Sequence, residues 1–233
     1  MPKIISIEGN IGVGKTTMIN HLETFFSNDK SIVFLREPVD IWDKIKDENG
    51  ETILQNFYAN PEKYGFAFQV MAFTTRLDMV MRCISNNPDC KYIICERSLE
   101  ADYHIFAKML HDDGIIDTLS YQVYVGMYNH FTTGINIVDS IIYLDADANI
   151  CHERMKKRAR LGEESVSLDY LLKCEKYHRD WLLTNNSSNR ILHLNCNADK
   201  ETMGVEDWLL QIKQFVNNNP ATERTNYLRS SYN

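Results

Sequence analysis

Residues Gly9-Asn10-Ile11-Gly12-Val13-Gly14-Lys15-Thr16 fit the string G-x-x-x-x-G-K-[ST], and Thr17 follows directly. Each residue type has a physical reason to stand where it does. Glycines let the chain curl so that its amides converge on phosphate oxygens at a helix N-terminus. Lys15 can reach the β- and γ-phosphates of a nucleoside triphosphate, and the Thr16 hydroxyl can ligate Mg²⁺. The string falls after the apolar run Lys3 to Glu8 and before a segment of helical spacing, which is the context the chemistry needs. A phosphate loop alone leaves kinase, GTPase switch, motor and transporter subunit open. The guanine-reading string Asn-Lys-x-Asp is absent, and the chain is short and acidic for a helicase core with a nucleic-acid track. A small-molecule kinase is the leading class.

Such a kinase needs a base for the acceptor hydroxyl and cations around the transferring group. In Leu35-Arg36-Glu37-Pro38-Val39, with Trp42 shortly after, Glu37 stands at the end of an apolar run, where open α/β sheets bind ligands. It is either the general base or a loop carboxylate in solvent. Pro38 fixes the direction in which the chain leaves. In Ile94-Cys95-Glu96-Arg97-Ser98, Glu96 suits a carboxylate near Mg²⁺, and Arg97 can face phosphate or the acceptor oxygen. Arg154, Lys156, Lys157, Arg158 and Arg160 crowd together, with Arg154 and Arg158 at i, i+4 on one helix face. They form either a lid that closes over the phosphoryl group or a solvated basic face.

These groups must be held by a scaffold. Five short apolar runs recur: Lys3 to Glu8, Ser31 to Arg36, Lys91 to Glu96, Ser140 to Asp145 and Arg190 to Asn195. They read as buried parallel strands, and the helical spacing between them implies right-handed crossovers. The expected fold class is therefore α/β: a P-loop NTPase fold with a five-stranded parallel sheet flanked by helices and an arginine-rich lid. The first crossover helix should run from Lys15 to about Phe26, and Glu51 to Asn86 must hold at least one extra helix. Segment 118–138 has no Asp, Glu, Lys or Arg. Leu119, Val123, Met127 and Phe131 make one helical stripe there; Tyr121, Tyr124 and Tyr128 make a second. A helix apolar on two faces is either a subunit interface, giving a homodimer, or deeply buried. One domain is expected over 1–216, followed by a polar, flexible tail over 217–233.

Lys plus Arg number 25 and Asp plus Glu 32, a formal charge of −7, which argues against a nucleic-acid coat or a polybasic membrane binder. Any bound phosphate must be held locally. No apolar run approaches the roughly 18 residues of a membrane span. Cys83, Cys90, Cys95, Cys151, Cys174 and Cys196 form no C-x-x-C pair, so neither a disulfide scaffold nor zinc is suggested. A reducing, cytoplasmic location is expected.

The succession E-G-N-I-G-V-G-K-T-T, E-P-V-x-x-W, E-R-S and R-x-x-x-R-x-R-x-x-E, spanning about Ile4 to Leu183, resembles the deoxynucleoside kinase family. The stretch Phe57-Tyr58-x-x-x-Pro61 to Phe68-Gln69 fits too. The resemblance implies transfer of the γ-phosphoryl group of ATP, with Mg²⁺, to a deoxynucleoside 5′-hydroxyl. By it Glu37 is the base, Arg97 supports the 5′-oxygen, Thr16 and Glu96 act at Mg²⁺, and Arg154, Arg158 and Arg160 form the lid. Tyr58 and Glu163, or Glu164 in a shifted register, hold the sugar 3′-hydroxyl, Gln69 pairs with the base edge, and Trp42 supplies an aromatic wall. Arg76 with Asp102 resembles the deoxycytidine and deoxyguanosine kinase branch. Such a pair would narrow the pocket and offer an acceptor to an exocyclic amino group, unless it is a surface ion pair without a role. Ser167 stands where the family commonly has proline. The alternatives are a nucleoside monophosphate kinase of the thymidylate type, which continues Gly-Gly-Thr where this chain has Val39-Asp40-Ile41-Trp42, and a non-catalytic ATP-binding switch.

Overall fold

The structure, a computed structural model, describes residues 2–133, 138–160, 162–184, 190–197 and 204–218. The apolar runs become five parallel strands in the order β2-β3-β1-β4-β5: β1 (Lys3–Gly9), β2 (Ile32–Leu35), β3 (Tyr92–Glu96), β4 (Ser140–Asp145) and β5 (Arg190–Asn195). The last two have the expected ends. β2 loses a residue at each end and β3 one at its start, whereas β1 extends to Gly9, which pairs with Leu144. Central β1 has β3 on one side, with Ile7 opposite Glu96, and β4 on the other, with Ile5 opposite Ser140. Because both faces of the sheet are covered, β1 uses Ile4, Ile5 and Ile7 where a half-exposed strand would alternate with polar residues.

The helices are α1 (Lys15–Phe25), α2 (Val39–Trp42), α3 (Ile53–Ala59), α4 (Pro61–Asn86), α5 (Leu99–Ala101), α6 (Lys108–Asp112), α7 (Thr118–Thr132), α8 (Ala148–Arg158), α9 (Leu168–Arg179) and α10 (Val205–Asn217). Asp102–Ala107, between α5 and α6, is wound as a π-helix, as is Asp180–Thr184 after α9. On one face of the sheet Ile5, Ile7, Ile142 and Leu144 pack with Met18, Ile19 and Leu22 of α1 and Trp208, Ile212 and Val216 of α10. On the other, Ile4 and Ile93 meet Val80 and Cys83 of α4, while Ile141 and Tyr143 meet Ile105, Met109, Cys174 and Trp181.

The excursion between β2 and β3 holds three helices, α2, α3 and α4, the last two within the 51–86 stretch. α3 opens with a capping box in which the Thr52 hydroxyl accepts from Gln55 N–H and the Gln55 side chain accepts from Thr52 N–H. α4 starts immediately after, with the Asn60 side chain accepting from Lys63 N–H and proline in its first turn. Ser167 has a comparable use, since its side chain caps α9 by accepting from Tyr170 N–H, a bond proline could not make.

Helix α7 is not deeply buried. Its tyrosine stripe faces the protein, with Tyr124 at 0% exposure, whereas Leu119 and Val123 on the other stripe are 72% and 57% exposed. Residues 134–137 of the expected segment, and 219–233 of the expected tail, lie outside the described residues. Among the described residues no helix is long and apolar enough to cross a membrane. All six cysteines are free and buried.

The Tyr124 hydroxyl is buried without a hydrogen-bond partner, and its ring meets that of Phe73 edge-on, with the centroids 6.1 Å apart. Removing an unsatisfied polar atom while keeping the ring relieves a desolvation penalty of roughly 1–3 kcal/mol. Tyr124→Phe is therefore expected to raise the melting temperature by about 2–12 °C, at roughly 2–4 °C per kcal/mol for a chain of this size. A lowered melting temperature in differential scanning calorimetry would show that the hydroxyl has a partner after all.

Candidate active site

The phosphate loop leaves β1 at Gly9 and enters α1 at Lys15. Gly12 has φ +83°, and a Cβ there would stand 2.3 Å from the Cys151 carbonyl oxygen, so only glycine lets the loop lie against α8. Lys15 is buried and donates to the carbonyl oxygens of Gly9 (3.1 Å) and Asn10 (2.9 Å). Burial first, and the Arg97 charge second, bring its pKa down to about 7. Asn10 Nδ2 donates to the Leu171 carbonyl at 2.9 Å, fastening the loop to α9. Ile11, Gly12, Lys15 and Thr16 face one cavity; Gly12 to Thr17 also border a second, larger recess.

Thr16 Oγ1 donates to Glu96 Oε1 at 2.8 Å, so the two residues expected near a metal are neighbours, one in the first turn of α1 and the other at the end of β3. Among the described residues no group of three or more His, Cys, Asp or Glu could hold a metal by itself. A hydroxyl beside one carboxylate nevertheless fits Mg²⁺, which keeps several waters and takes its other ligands from substrate phosphates.

A cavity opens beside the loop. Glu37, Trp42, Tyr58, Gln69, Arg76, Arg97, Asp102 and Glu163 all line it, with Glu96, Arg158 and Arg160 at its phosphate end. Glu37 follows β2 and is partly buried, not a solvated loop acid: Arg76 Nη2 is 3.3 Å and Arg97 Nε 3.5 Å from its Oε1. Burial pushes the Glu37 carboxyl up, but Arg76, Arg97 and Lys15 together outweigh it and hold it below the usual range. It is ionised, an acceptor only.

Arg76 and Asp102 form a buried pair, not a surface one. Arg76 Nε donates to Asp102 Oδ2 at 3.0 Å, Nη2 reaches Oδ1 at 3.4 Å, and Nη1 donates to the Glu96 carbonyl at 3.0 Å. Gln69, two turns earlier on the same face of α4, is buried, and its Oε1 has no partner. Gln69 lines the cavity, and its orphaned acceptor calls for a donor. Trp42 is fixed by its Nε1–H bond to Thr75 Oγ1 (3.0 Å) and meets Phe68 edge-on, while Phe57 and Phe68 stack at 4.6 Å.

Glu163 is buried and takes both of its oxygens to Arg158 Nη2, at 2.6 and 2.7 Å, with Arg160 Nη1 3.7 Å away. Glu164 is exposed and accepts from Gly162 N–H. Glu163 is thus the residue of the two that faces Tyr58, whose hydroxyl is held above its ordinary pKa by burial and by the Glu163 charge. Arg154, Arg158 and Arg160 border the second recess together with the phosphate loop, so they are not a merely solvated face. Arg154 Nη1 donates to the Val13 carbonyl at 3.4 Å.

Sequence reasoning missed several neighbours. Phe106 lines the cavity and lies under the Arg97 guanidinium at 4.7 Å; its signal was the i, i+4 relation to Asp102. Tyr170 lines it too, and meets Tyr58 edge-on at 6.4 Å. Behind the wall, Ser98 Oγ donates to buried Glu8 Oε1 at 2.6 Å, and His178 stands beside Arg97.

Comparison with known proteins agrees with this arrangement. Residues 5–217 match the Deoxynucleoside kinase family. A fowlpox virus (strain NVSL) protein named "Probable deoxycytidine kinase FPV151" is 36% identical over 201 residues, covering 84% of this chain and 80% of that one. Human deoxycytidine kinase is 31% identical over 200 residues, covering 78% and 75% of the two chains. Human mitochondrial thymidine kinase 2 is 30% identical over 182 residues, 77% of this chain and 64% of that one. A phosphate loop set against an aromatic cavity with a partly buried carboxylate between two arginines, and a family match spanning nearly all of the sheet, together place the chain in the deoxynucleoside kinase family.

Proposed function

We propose that the protein transfers the γ-phosphoryl group of ATP to the 5′-hydroxyl of a deoxynucleoside, and that it favours the amino-bearing bases of deoxycytidine, deoxyadenosine and deoxyguanosine over thymidine. The observation that best supports this is the ionised Glu37 carboxylate, set between Arg76 and Arg97 at the junction of the aromatic cavity and the phosphate loop. Its contacts to the arginines are long, so lone pairs remain for an incoming hydroxyl. Glu37 takes the 5′-hydroxyl proton, while Lys15, Arg97, Arg154, Arg158 and Arg160 offset charge on the transferring group. Thr16 and Glu96 would hold Mg²⁺, which when bound neutralises phosphate oxygens. Tyr58 and Glu163 bind the sugar 3′-hydroxyl, Gln69 reads the base edge, and Trp42 and Phe68 wall the base.

Relatives named for deoxycytidine and for thymidine both occur among the matches, so the base preference rests on Arg76 and Asp102. Asp102 keeps lone pairs beyond those taken by Arg76, and these can accept from an exocyclic amino group. Thymine offers none. We propose in addition that the exposed Leu119 and Val123 stripe of α7 is covered by a second copy of the chain, since such a stripe is otherwise an unpaid apolar surface.

Glu37→Gln should lower kcat by about 10²–10⁴-fold while nucleoside affinity changes by no more than roughly threefold. Near wild-type turnover in a steady-state assay would remove Glu37 as the base. Replacing Arg76 and Asp102 together by small apolar residues avoids leaving one buried charge unpaired, which costs about 3–5 kcal/mol. The double variant should raise the thymidine to deoxycytidine ratio of kcat/KM by about tenfold or more; an unchanged ratio would mean that the pair does not select the base. For the assembly, sedimentation equilibrium should give a dimer that Leu119→Glu with Val123→Lys converts to monomer, and a monomeric parent protein would dismiss it.

A further inference from the structure

Arg97 is held under three constraints at once. Its backbone has φ +66°, its side chain is buried, and its guanidinium lies over the Phe106 ring. A buried guanidinium has five N–H donors, each of which needs an acceptor or a ligand. Glu37 Oε1 faces Nε at 3.5 Å; on another side, 3.5 Å from Nη1, stands His178 Nε2.

His178, on α9, is 1% exposed. Its Nδ1 is 2.6 Å from the Cys174 carbonyl oxygen one turn back. A carbonyl only accepts, and although the Gly9 carbonyl also lies near the ring, the 2.6 Å contact to Cys174 assigns the proton to Nδ1 and leaves the Nε2 lone pair turned toward Arg97. Burial first, and the Arg97 charge second, keep the imidazole well below its ordinary pKa and therefore neutral. The ring plane is set by Tyr143, stacked at 6.2 Å, and by Phe106, edge-on at 6.3 Å. The same helix accepts Asn10 Nδ2 at the Leu171 carbonyl, so α9 fixes both the phosphate loop and the arginine beside it.

We propose that His178 is a positioning residue of the phosphoryl-transfer site: its Nε2 lone pair accepts from Arg97 Nη1 and sets the rotation of the guanidinium, so that the remaining N–H groups point into the cavity. This rests on the role given above to Arg97. A core histidine that only fills space would be replaceable by a side chain of similar bulk. A positioning histidine is replaceable only by a side chain that keeps the acceptor, because without it Nη1 loses its partner and the guanidinium turns.

His178→Gln keeps an acceptor near the place of Nε2, whereas His178→Leu removes it. The Leu variant should lose kcat about 10–100-fold, the usual effect of removing a group that orients a reacting residue. KM for ATP and for nucleoside should stay within roughly threefold, and the Gln variant should retain most of the turnover. In an Arg97→Ala background His178→Leu should have no further effect. Equal losses in the Gln and Leu variants, or losses that add to that of Arg97→Ala, would overturn the proposal. If His178→Leu does not fold, His178→Asn carries the same comparison, because its shorter amide cannot reach Nη1; turnover equal to that of His178→Gln would count against the role. Normal turnover by Arg97→Ala alone overturns the role of Arg97 and this inference with it. An impaired Arg97→Ala beside an unimpaired His178→Leu overturns this inference only.

Discussion

A guanidinium sunk to 1% exposure beneath the cavity is the constraint around which the site is arranged. Arg76 cannot be deprotonated, and a lone cation out of water costs several kcal/mol, so everything around it must supply acceptors. Asp102 comes from the start of the π-helix, Glu37 from the end of β2, and the Glu96 carbonyl from the end of β3. One side chain of α4 thereby draws three other elements to a point. Burial opposes the charge on Arg76, but Asp102 and Glu37 outweigh it. The arginine in turn helps to keep Glu37 ionised.

The electrostatics are local, as the sequence requires. A chain of net charge −7 repels a triphosphate at long range and attracts it only where cations are concentrated. Lys15, Arg158 and Arg160 line both recesses, and Arg97 lines the aromatic cavity beside them. They also disfavour one another: the Arg97 charge is the second cause, after burial, of the lowered pKa of Lys15. Anionic oxygens placed between them relieve that repulsion.

What the sequence disclosed and what it hid follow from the range of the interactions. The phosphate loop and the strands were legible because glycine geometry and β-branched runs are local signals. Glu37, Arg97, Arg76 and Asp102 were legible as residue types at strand ends and fixed offsets, but only packing could place all four around one cavity. The choice between Glu163 and Glu164 was open until the 3₁₀ turn at Glu163–Ser165 turned one inward and the other to solvent. Phe106, Tyr170 and His178 were missed because an apolar or aromatic side chain on a helix reads as core, and cavity walls have the same composition as core. The π winding of Asp102–Ala107, which sets how Asp102 and Phe106 share the wall, has no periodic signature in the residues.

The sheet order has a consequence for synthesis of the chain. β1, which launches the phosphate loop, pairs with β3 and β4 and with no strand made close to it, since Ile5 lies opposite Ile94 and Ser140. At about 5–20 residues per second a ribosome delivers its second partner on the order of ten seconds after β1 itself. Until β3 is made both edges of this central strand are open, and until β4 is made one still is, the condition that favours edge-to-edge association with other nascent chains. The strand on which catalysis depends is therefore also the one whose early shielding governs the yield of folded protein.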